Sequence, residues 1–319
     1  MSVRRHRAIV ASGIGAGLLL AGVIALVSLS GKSAGSPAPP SIAPAVTSPF
    51  PVPLQGAVVF ARQDRTDVLA LAVAPRAHGI VLRASVVGPQ GRGVRGLRVA
   101  LTAGERGGTH SARAGSCGAG CYQASFTLRS RPLAVRARVE RPSRTTIWNV
   151  RLPSTWPARD ATALVARATR VWRHLRSLSY VDRLSSDSTH TVVSRWQIVA
   201  PDRVAYEVGR GGGQAVIVGS QRWDRSPGGG WVKSPATRLD QPQPFWASVT
   251  DAHVVGSGRI RGRPVWRVSF FDPKTPGWFL VSVDKRTAWT LDVRMQATAH
   301  FMHDTYRQFN APLRIVAPG

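Results

Sequence analysis

Residues 161–178, ATALVARATRVWRHLRSL, decide how the C-terminal half of this chain is built. Ala161, Leu164, Val165, Ala168, Val171, Trp172, Leu175 and Leu178 recur at spacings of three and four. Those positions form one apolar stripe of about five helical turns. Arg159, Arg167, Arg170, Arg173 and Arg176 fall off the stripe. The spacing predicts a single amphipathic helix that needs a broad apolar surface to lie on. After Ser179 the chain reads as β-structure to its end. Strands are predicted near 191–199, 203–208, 215–218, 221–224, 254–260, 264–271, 278–283, 287–297 and 299–309. One helix followed by nine or more antiparallel strands predicts a large sheet wrapped around the helix.

Upstream of the helix the rhythm is different. Between Gly56 and Leu152 short apolar runs alternate with turn signals such as GPQGRG, GERGG and CGAGC. Strands are predicted near 57–60, 68–73, 80–87, 97–101, 122–128, 133–139 and 146–152. Seven short strands in about 100 residues without a helical period predict an immunoglobulin-like β-sandwich. The change of rhythm at Leu152-Pro153-Ser154-Thr155-Trp156-Pro157 divides a sandwich over 54–152 from a curved antiparallel half-barrel over 153–319. The fold class is therefore mostly β.

Ahead of both lies a segment of another kind. Residues 32–53, KSAGSPAPPSIAPAVTSPFPVP, hold seven prolines with Lys32 the single charge, which predicts a stiff, solvated linker. Residues 8–30, AIVASGIGAGLLLAGVIALVSLS, are 23 uncharged residues preceded by Arg4, Arg5 and Arg7. As a helix this run would extend about 34 Å, enough for a bilayer core of roughly 30 Å. The Arg cluster on the short N-terminal side predicts that residues 1–31 form a cytoplasmic start and a single-pass transmembrane anchor in the cell membrane. Everything after Gly31 then stands outside the cytoplasm. The run exceeds the apolar core of a cleaved signal peptide, although Ser33-Ala34-Gly35 would permit cleavage. A lipoprotein-type anchor would need a Cys just after the run, and the first Cys is Cys117.

The net charge of +27 raises a nucleic-acid reading, and its distribution argues against one. Residues 54–152 carry 16 basic against 4 acidic side chains, and residues 153–319 carry 23 against 12. The excess is spread evenly, with neither a basic block nor a recognition helix. Only Lys32, Lys233, Lys274 and Lys285 among the 43 basic residues are lysines, which reads as coding bias. The membrane is the expected partner, through the anchor and through attraction of a basic surface to anionic headgroups.

Cys117 and Cys121, in GSCGAGCYQ, are expected to form a disulfide across a small Gly-rich loop, as an exported compartment favours. A C-x3-C copper or zinc site is the alternative. Eight of the ten tryptophans fall in the C-terminal half, and two readings compete for them. They fill the concave side of the sheet as core, or several line an apolar cavity for an acyl chain or similar ligand. Under the second reading the cavity candidates are Trp172, Trp196, Trp223, Phe245, Trp246, Trp266 and Trp278. Residues 235–247, PATRLDQPQPFWA, would then be a Pro-rich flap carrying Phe245 and Trp246 over the mouth, an ordinary crossover loop being the equal alternative.

Met295, His300, Met302 and His303 cluster in RMQATAHFMH, and imidazole with thioether is the donor pairing of exported copper sites. Strand alternation puts His300 and Met302 on one face and His303 on the other, so a copper site on His300, Met302 and Met295 would recruit His253 or His190. A packed His and a core Met is the plainer reading. The sequence has no nucleophile elbow, HExxH motif or phosphate loop, and no paired carboxylates stand out. The Gly runs at 209–213 and 226–231 precede no helix and read as hairpin turns. No enzyme and no resident cofactor is expected.

Several segments carry a resemblance. The leading helix, APDRVAYEV (200–208) and AVIVGSQRWDRSPGGGWVKSP (215–235) resemble the LolA-like and LppX-like lipoprotein carriers, half-barrels that bind lipid or lipoprotein acyl chains. CGAGCYQASFTL (117–128), VRLPSTWP (150–157), FFDPKTPGWFLVSVDKRT (270–287) and RMQATAHFMHDTYRQFNAPLRI (294–315) are similar to the extracytoplasmic C-terminal part of actinobacterial copper-resistance-D-like proteins, where a YtkA-like sandwich precedes such a half-barrel. The chain departs from them in lacking a multi-helix membrane domain, so copper transport does not carry over. The resemblance implies a tethered, non-enzymatic binder or carrier of an apolar ligand, with a membrane protein as a possible partner. The alternatives are an accessory in extracytoplasmic copper handling and a scaffold that recognises protein.

Overall fold

The computed structural model describes residues 51–319. The expected anchor over 8–30 and the linker up to residue 50 lie outside the described residues. Among the described residues no helix is long and apolar enough to cross a membrane.

The first half folds as nine strands: β1 (Val58–Asp64), β2 (Asp67–Arg76), β3 (Gly79–Val87), β4 (Arg98–Glu105), β5 (Gly108–Arg113), β6 (Gly115–Gly118), β7 (Cys121–Thr127), β8 (Pro132–Arg141) and β9 (Arg144–Arg151). They form a five-stranded sheet, β1-β2-β3-β7-β6, and a four-stranded sheet, β5-β4-β8-β9. The inner faces share one core, with Leu69, Leu71, Leu82, Tyr122 and Phe126 from the first and Val99, Leu101, Val135 and Val139 from the second. Two of these strands, β5 and β6, were not among the seven expected. Nearly all their residues are exposed, so neither carries an apolar alternation to betray it.

Cys117 and Cys121 are joined in a disulfide at the β6–β7 turn, with Cα atoms 5.0 Å apart. The thiolates that a C-x3-C metal site would need are thereby consumed. Glycine is required beside it: a Cβ on Gly120 would lie 2.4 Å from the Val86 carbonyl oxygen, where the Val86 N–H donates to the Gly120 carbonyl.

The second half opens with α1 (Thr162–Arg173), which is shorter than the stripe implied. The expected fourth and fifth turns are absent. The N–H groups of His174 and Leu175 close on the carbonyls of Val171 and Trp172, and the chain then joins a sheet. Leu178 lies in β10 (Ser177–Ser185), where Leu178, Tyr180 and Asp182 alternate inward. Leu175 and Leu178 satisfied a helical spacing and a strand–turn spacing equally, and pairing with β11 decided the outcome. At the other end, the Asp160 carboxylate accepts from the Thr162 N–H and hydroxyl, supplying a cap that Ala161 lacks.

Ten further strands complete the large sheet: β11 (Thr191–Val199), β12 (Arg203–Val208), β13 (Gln214–Val218), β14 (Gln221–Arg225), β15 (Trp231–Pro235), β16 (Thr250–Ile260), β17 (Arg263–Asp272), β18 (Gly277–Asp284), β19 (Thr290–Ala297) and β20 (His300–Arg307). With β10 they form eleven strands in the order β15-β14-β13-β12-β11-β10-β20-β19-β18-β17-β16. Residues 236–249 run from one edge strand, β15, to the other, β16. This strap crosses the open side of the sheet. The sheet, helix and strap share a core that includes Val165, Ala168, Trp172, Trp196, Trp246, Phe270, Phe279 and Tyr306.

The two halves meet on a third apolar layer. Ala57, Val59, Val68, Ala70 and Ala72 of the five-stranded sheet pack against Phe271, Trp278 and Phe301 of the eleven-stranded one. Residues 51–53 belong to this body and not to a solvated linker: Pro51 and Pro53 are buried, and Arg83 Nη1 donates to the Val52 carbonyl at 3.1 Å. The fold thus stacks three β-sheets and one helix.

Candidate functional site

The concave face of the large sheet carries an aromatic ladder. Cross-strand register aligns Tyr206 (β12) with Trp196 (β11), Trp196 with Tyr180 (β10), and Tyr180 with Tyr306 (β20). Side chains in directly paired positions of antiparallel strands stand on the same face and touch. Ring centroids are 4.3 Å apart for Trp196–Tyr206, 5.7 Å for Tyr180–Trp196 and 5.0 Å for Tyr180–Tyr306. Trp172 of α1 meets Tyr306 edge-on at 4.7 Å, and Trp246 of the strap meets Trp172 at 5.9 Å and Phe270 at 5.5 Å. Most of the concavity is therefore filled by rings.

A space remains under the strap. Trp172, Tyr180, Ile198, Leu239, Phe245 and Tyr306 line a cavity of about 420 Å³, with Arg173, Arg238 and Asp240 also contributing to its wall. That volume lies in the lower part of the range of small-molecule sites. Polar contacts pin the strap at several points. Trp246 Nε1 donates to Thr169 Oγ1 at 2.9 Å, the Ala247 N–H to Asp272 Oδ2 at 2.7 Å, and the Gln241 N–H to the Pro201 carbonyl at 2.6 Å. Among the residues lining this cavity, Trp172 Nε1 is a buried donor with no acceptor among the described residues. An unmade hydrogen bond of this kind costs about 1–3 kcal/mol in the absence of a partner.

The seven cavity candidates separate into three groups. Trp172, Phe245 and Trp246 line the cavity, and Trp196 lies in the ladder beside it. Trp266 shares the concave parity of Val268 and Phe270 but sits away from the cavity, between Lys285 Nζ at 3.6 Å and the Arg159 guanidinium at 4.6 Å. Trp223 and Trp278 occupy the opposite face. Trp223 pairs with Val216, out of phase with the buried Ala215 and Ile217, and has Lys233 Nζ 5.5 Å from its ring. Trp278 is packed with Phe271 in the layer between the two halves. Residue type alone could not tell these faces apart. The phase of Tyr180 and Tyr306 with Leu178 and Met302 was the signal for the two residues that the sequence reading overlooked.

One row along the same face lies a feature that the sequence reading dismissed. Asp182 and Asp304, 122 positions apart, are direct cross-strand partners, and Ser194 is the partner of Asp182 on its other side. Asp304 is fully buried and Asp182 nearly so. Tyr306 donates its hydroxyl to Asp304 Oδ2 at 2.5 Å, and Ser194 Oγ donates to Asp182 Oδ2 at 3.3 Å. The remaining oxygens, Oδ1 of each, find no donor among the ordinary polar groups of the described residues. Burial raises the pKa of both carboxyls, that of Asp304 strongly, and the neighbouring carboxyl raises Asp304 further. Two acids in this setting hold a proton between them. The pair underlies Tyr180 and Tyr306, whose own hydroxyls burial keeps protonated well above the usual phenol range. Being sealed from solvent, it supports the cavity floor.

The candidate copper donors are arranged as alternation predicts, His300 and Met302 on one face and His303 on the other. Met295 and Met302 are direct cross-strand partners, both buried in the apolar core. His300 is half-buried with Nδ1 3.3 Å from the Thr298 carbonyl, and His303 Nε2 is 2.7 Å from Asp292 Oδ2. The partners expected from elsewhere do not join them. His253 lies on β16, four strands from β20, and His190 is exposed and held by Asp187. Among the described residues no three His, Cys, Asp or Glu side chains are grouped to hold a metal ion.

No family model matches the chain, and no curated protein matches it in sequence. Among solved structures it is similar to the lipoprotein LppX of Mycobacterium tuberculosis, with 12% identity and a TM-score of 0.40 over 48% of this chain and 97% of that one. It is also similar to LprF from Mycobacterium bovis, with 12% identity and a TM-score of 0.38 over 50% of this chain and 96% of that one.

Proposed function

We propose that this chain is a membrane-tethered, extracytoplasmic binding module for an apolar ligand bearing one oxygen acceptor, such as an acyl ester, and that it performs no catalysis. The observation that carries this reading is the strap-covered cavity, walled by aromatic rings, one of which, Trp172, carries an unpaired buried donor. An apolar chain would take up the aromatic wall, and its ester oxygen would accept from Trp172 Nε1. Arg173 and Arg238 stand where a polar end would emerge. Tethering follows from the uncharged run at 8–30 behind its Arg cluster. A tethered binder receives or presents its ligand near one membrane.

The test is displacement of the fluorescent apolar probe 1-aminoanthracene from the full chain by dodecyl acetate and by dodecane. Dodecyl acetate should win by roughly fivefold, the worth of about one net hydrogen bond. Trp172→Phe should erase that preference while leaving dodecane unchanged. Equal affinities for the two ligands in the wild type, or no saturable displacement by either, would refute the reading.

A further inference from the structure

A second cavity, of about 420 Å³, lies on the other side of the large sheet, where β1 and β9 of the first half meet β17, β18 and β19. Its apolar wall is built from Phe60, Trp148, Val150 and Leu280. Three exposed arginines border it from three different strands: Arg62 on β1, Arg151 on β9 and Arg294 on β19. Among the described residues no acidic side chain lines it, and none of the three arginines has a carboxylate partner. Arg141 and Arg144 share Asp64, with Asp67 beside them.

Two buried polar groups of this cavity are also unsatisfied among the described residues. Ser269 is 2% exposed and its Oγ has no partner, and Gln296 Oε1 likewise has none. Both follow from the register. Ser269 pairs with Leu280 and Leu280 with Arg294, while Gln296 pairs with Trp278, so these side chains project from adjacent rows of the same face. A buried hydroxyl without a partner is disfavoured, and an acceptor oxygen from a bound molecule would remove that cost. A carboxylate or phosphate oxygen would do so while also engaging the guanidinium groups in charge-assisted hydrogen bonds.

We infer that this inter-half cavity binds an amphiphile with a single anionic head, a phosphate or carboxylate, whose apolar part lies against Phe60, Trp148 and Leu280. The site is separate from the strap cavity and does not depend on what that cavity holds.

The test uses the full chain in nanodiscs of zwitterionic phosphatidylcholine, with hexyl phosphate, inorganic phosphate and hexanol as probes in calorimetric titrations. Hexyl phosphate should bind tightest, inorganic phosphate more weakly and hexanol least. The triple variant R62Q/R151Q/R294Q should lose at least tenfold for hexyl phosphate, and Ser269→Ala should lose several-fold. The three arginines make no ion pair with any described residue and Ser269 Oγ is unbonded, so these changes break no native contact with a carboxylate. The control R106Q/R113Q/R129Q removes the same charge from exposed positions outside the cavity and should change affinity by less than twofold. Equal losses in both triple variants would reduce the binding to general attraction by a basic protein and overturn the inference. So would an affinity for hexyl phosphate that falls with Phe245→Ala but not with R62Q/R151Q/R294Q, which would place the probe under the strap. Inorganic phosphate binding as tightly as hexyl phosphate would overturn the assignment to an amphiphile.

Discussion

Replacing Asp304 by asparagine should make the protein more stable at neutral pH and flatten its response to pH. In the unfolded chain an aspartate loses its proton near pH 3.8, whereas burial and the neighbouring Asp182 raise the value in the fold. Between those two values the folded state holds more protons than the unfolded state, so stability falls as pH rises. One extra bound proton corresponds to a slope of about 1.4 kcal/mol per pH unit. The contribution is complete below the unfolded value and is lost as pH climbs through the folded one. For a body of this size that slope amounts to about 2–3 °C in Tm per pH unit.

The substituted amide would retain an oxygen for the Tyr306 hydroxyl and would offer an N–H to Asp182 Oδ1, replacing the shared proton with a fixed donor. The groups whose charges act on the pair, His300 and His303 on Asp182 and Asp292 on Asp304, are present in both proteins. The difference between the two curves therefore isolates Asp304. Tm followed by tryptophan fluorescence from pH 4 to pH 8 is the assay. Wild type and Asp304→Asn should converge at the acid end and diverge as pH rises, the variant being higher. Parallel curves, or a variant less stable at pH 7, would falsify the shared-proton account.

Other perturbations separate the site from its supports. Trp246→Ala removes ring contacts to Trp172, Phe270 and Phe279 and the bond to Thr169, so urea unfolding should show a loss of about 3–5 kcal/mol along with loss of ligand. Phe245→Ala truncates a half-buried ring of the same strap, and should weaken 1-aminoanthracene binding with a stability change of about 1 kcal/mol or less. Asp64→Ala leaves Arg141 and Arg144 without the carboxylate that each approaches at 3.0 and 2.6 Å. Denaturation should report a loss of about 3 kcal/mol, the lower end for a broken buried pair because Asp67 still serves Arg141. Cys117→Ser with Cys121→Ser opens a very short loop, for which chain entropy predicts about 2 kcal/mol at most. Ligand affinity under the strap should be unchanged, since β6 and β7 belong to the other sheet system.

The elements were legible wherever a strand or helix buried one face. The apolar stripe through Val165, Ala168 and Trp172 announced α1, and the alternation in 133–139 announced β8. Where both faces meet solvent, as along β5, no pattern existed to read. Where two periods coincide, as at Leu175 and Leu178, the sequence could not choose between another helical turn and a strand. Phe245 and Trp246 were legible as strap residues because a Pro-rich segment between strands carries no regular period. Trp223 and Trp278 were not assignable, because an aromatic side chain suits either covered face of a sheet, and here both faces are covered.

From its sequence alone this chain is a mostly β protein with one helix, a disulfide loop and an aromatic-rich C-terminal half. Those properties are local: periodicity, turn chemistry and the separation of two cysteines act within a few residues. Tertiary structure alone placed Asp182 beside Asp304, stacked Tyr206, Trp196, Tyr180 and Tyr306 in one row, and gathered Arg62, Arg151 and Arg294 around one cavity. Each of those groupings depends on strand register and on which edge the strap reaches. Register is set by pairing between segments up to more than a hundred residues apart, and no short window of sequence contains it.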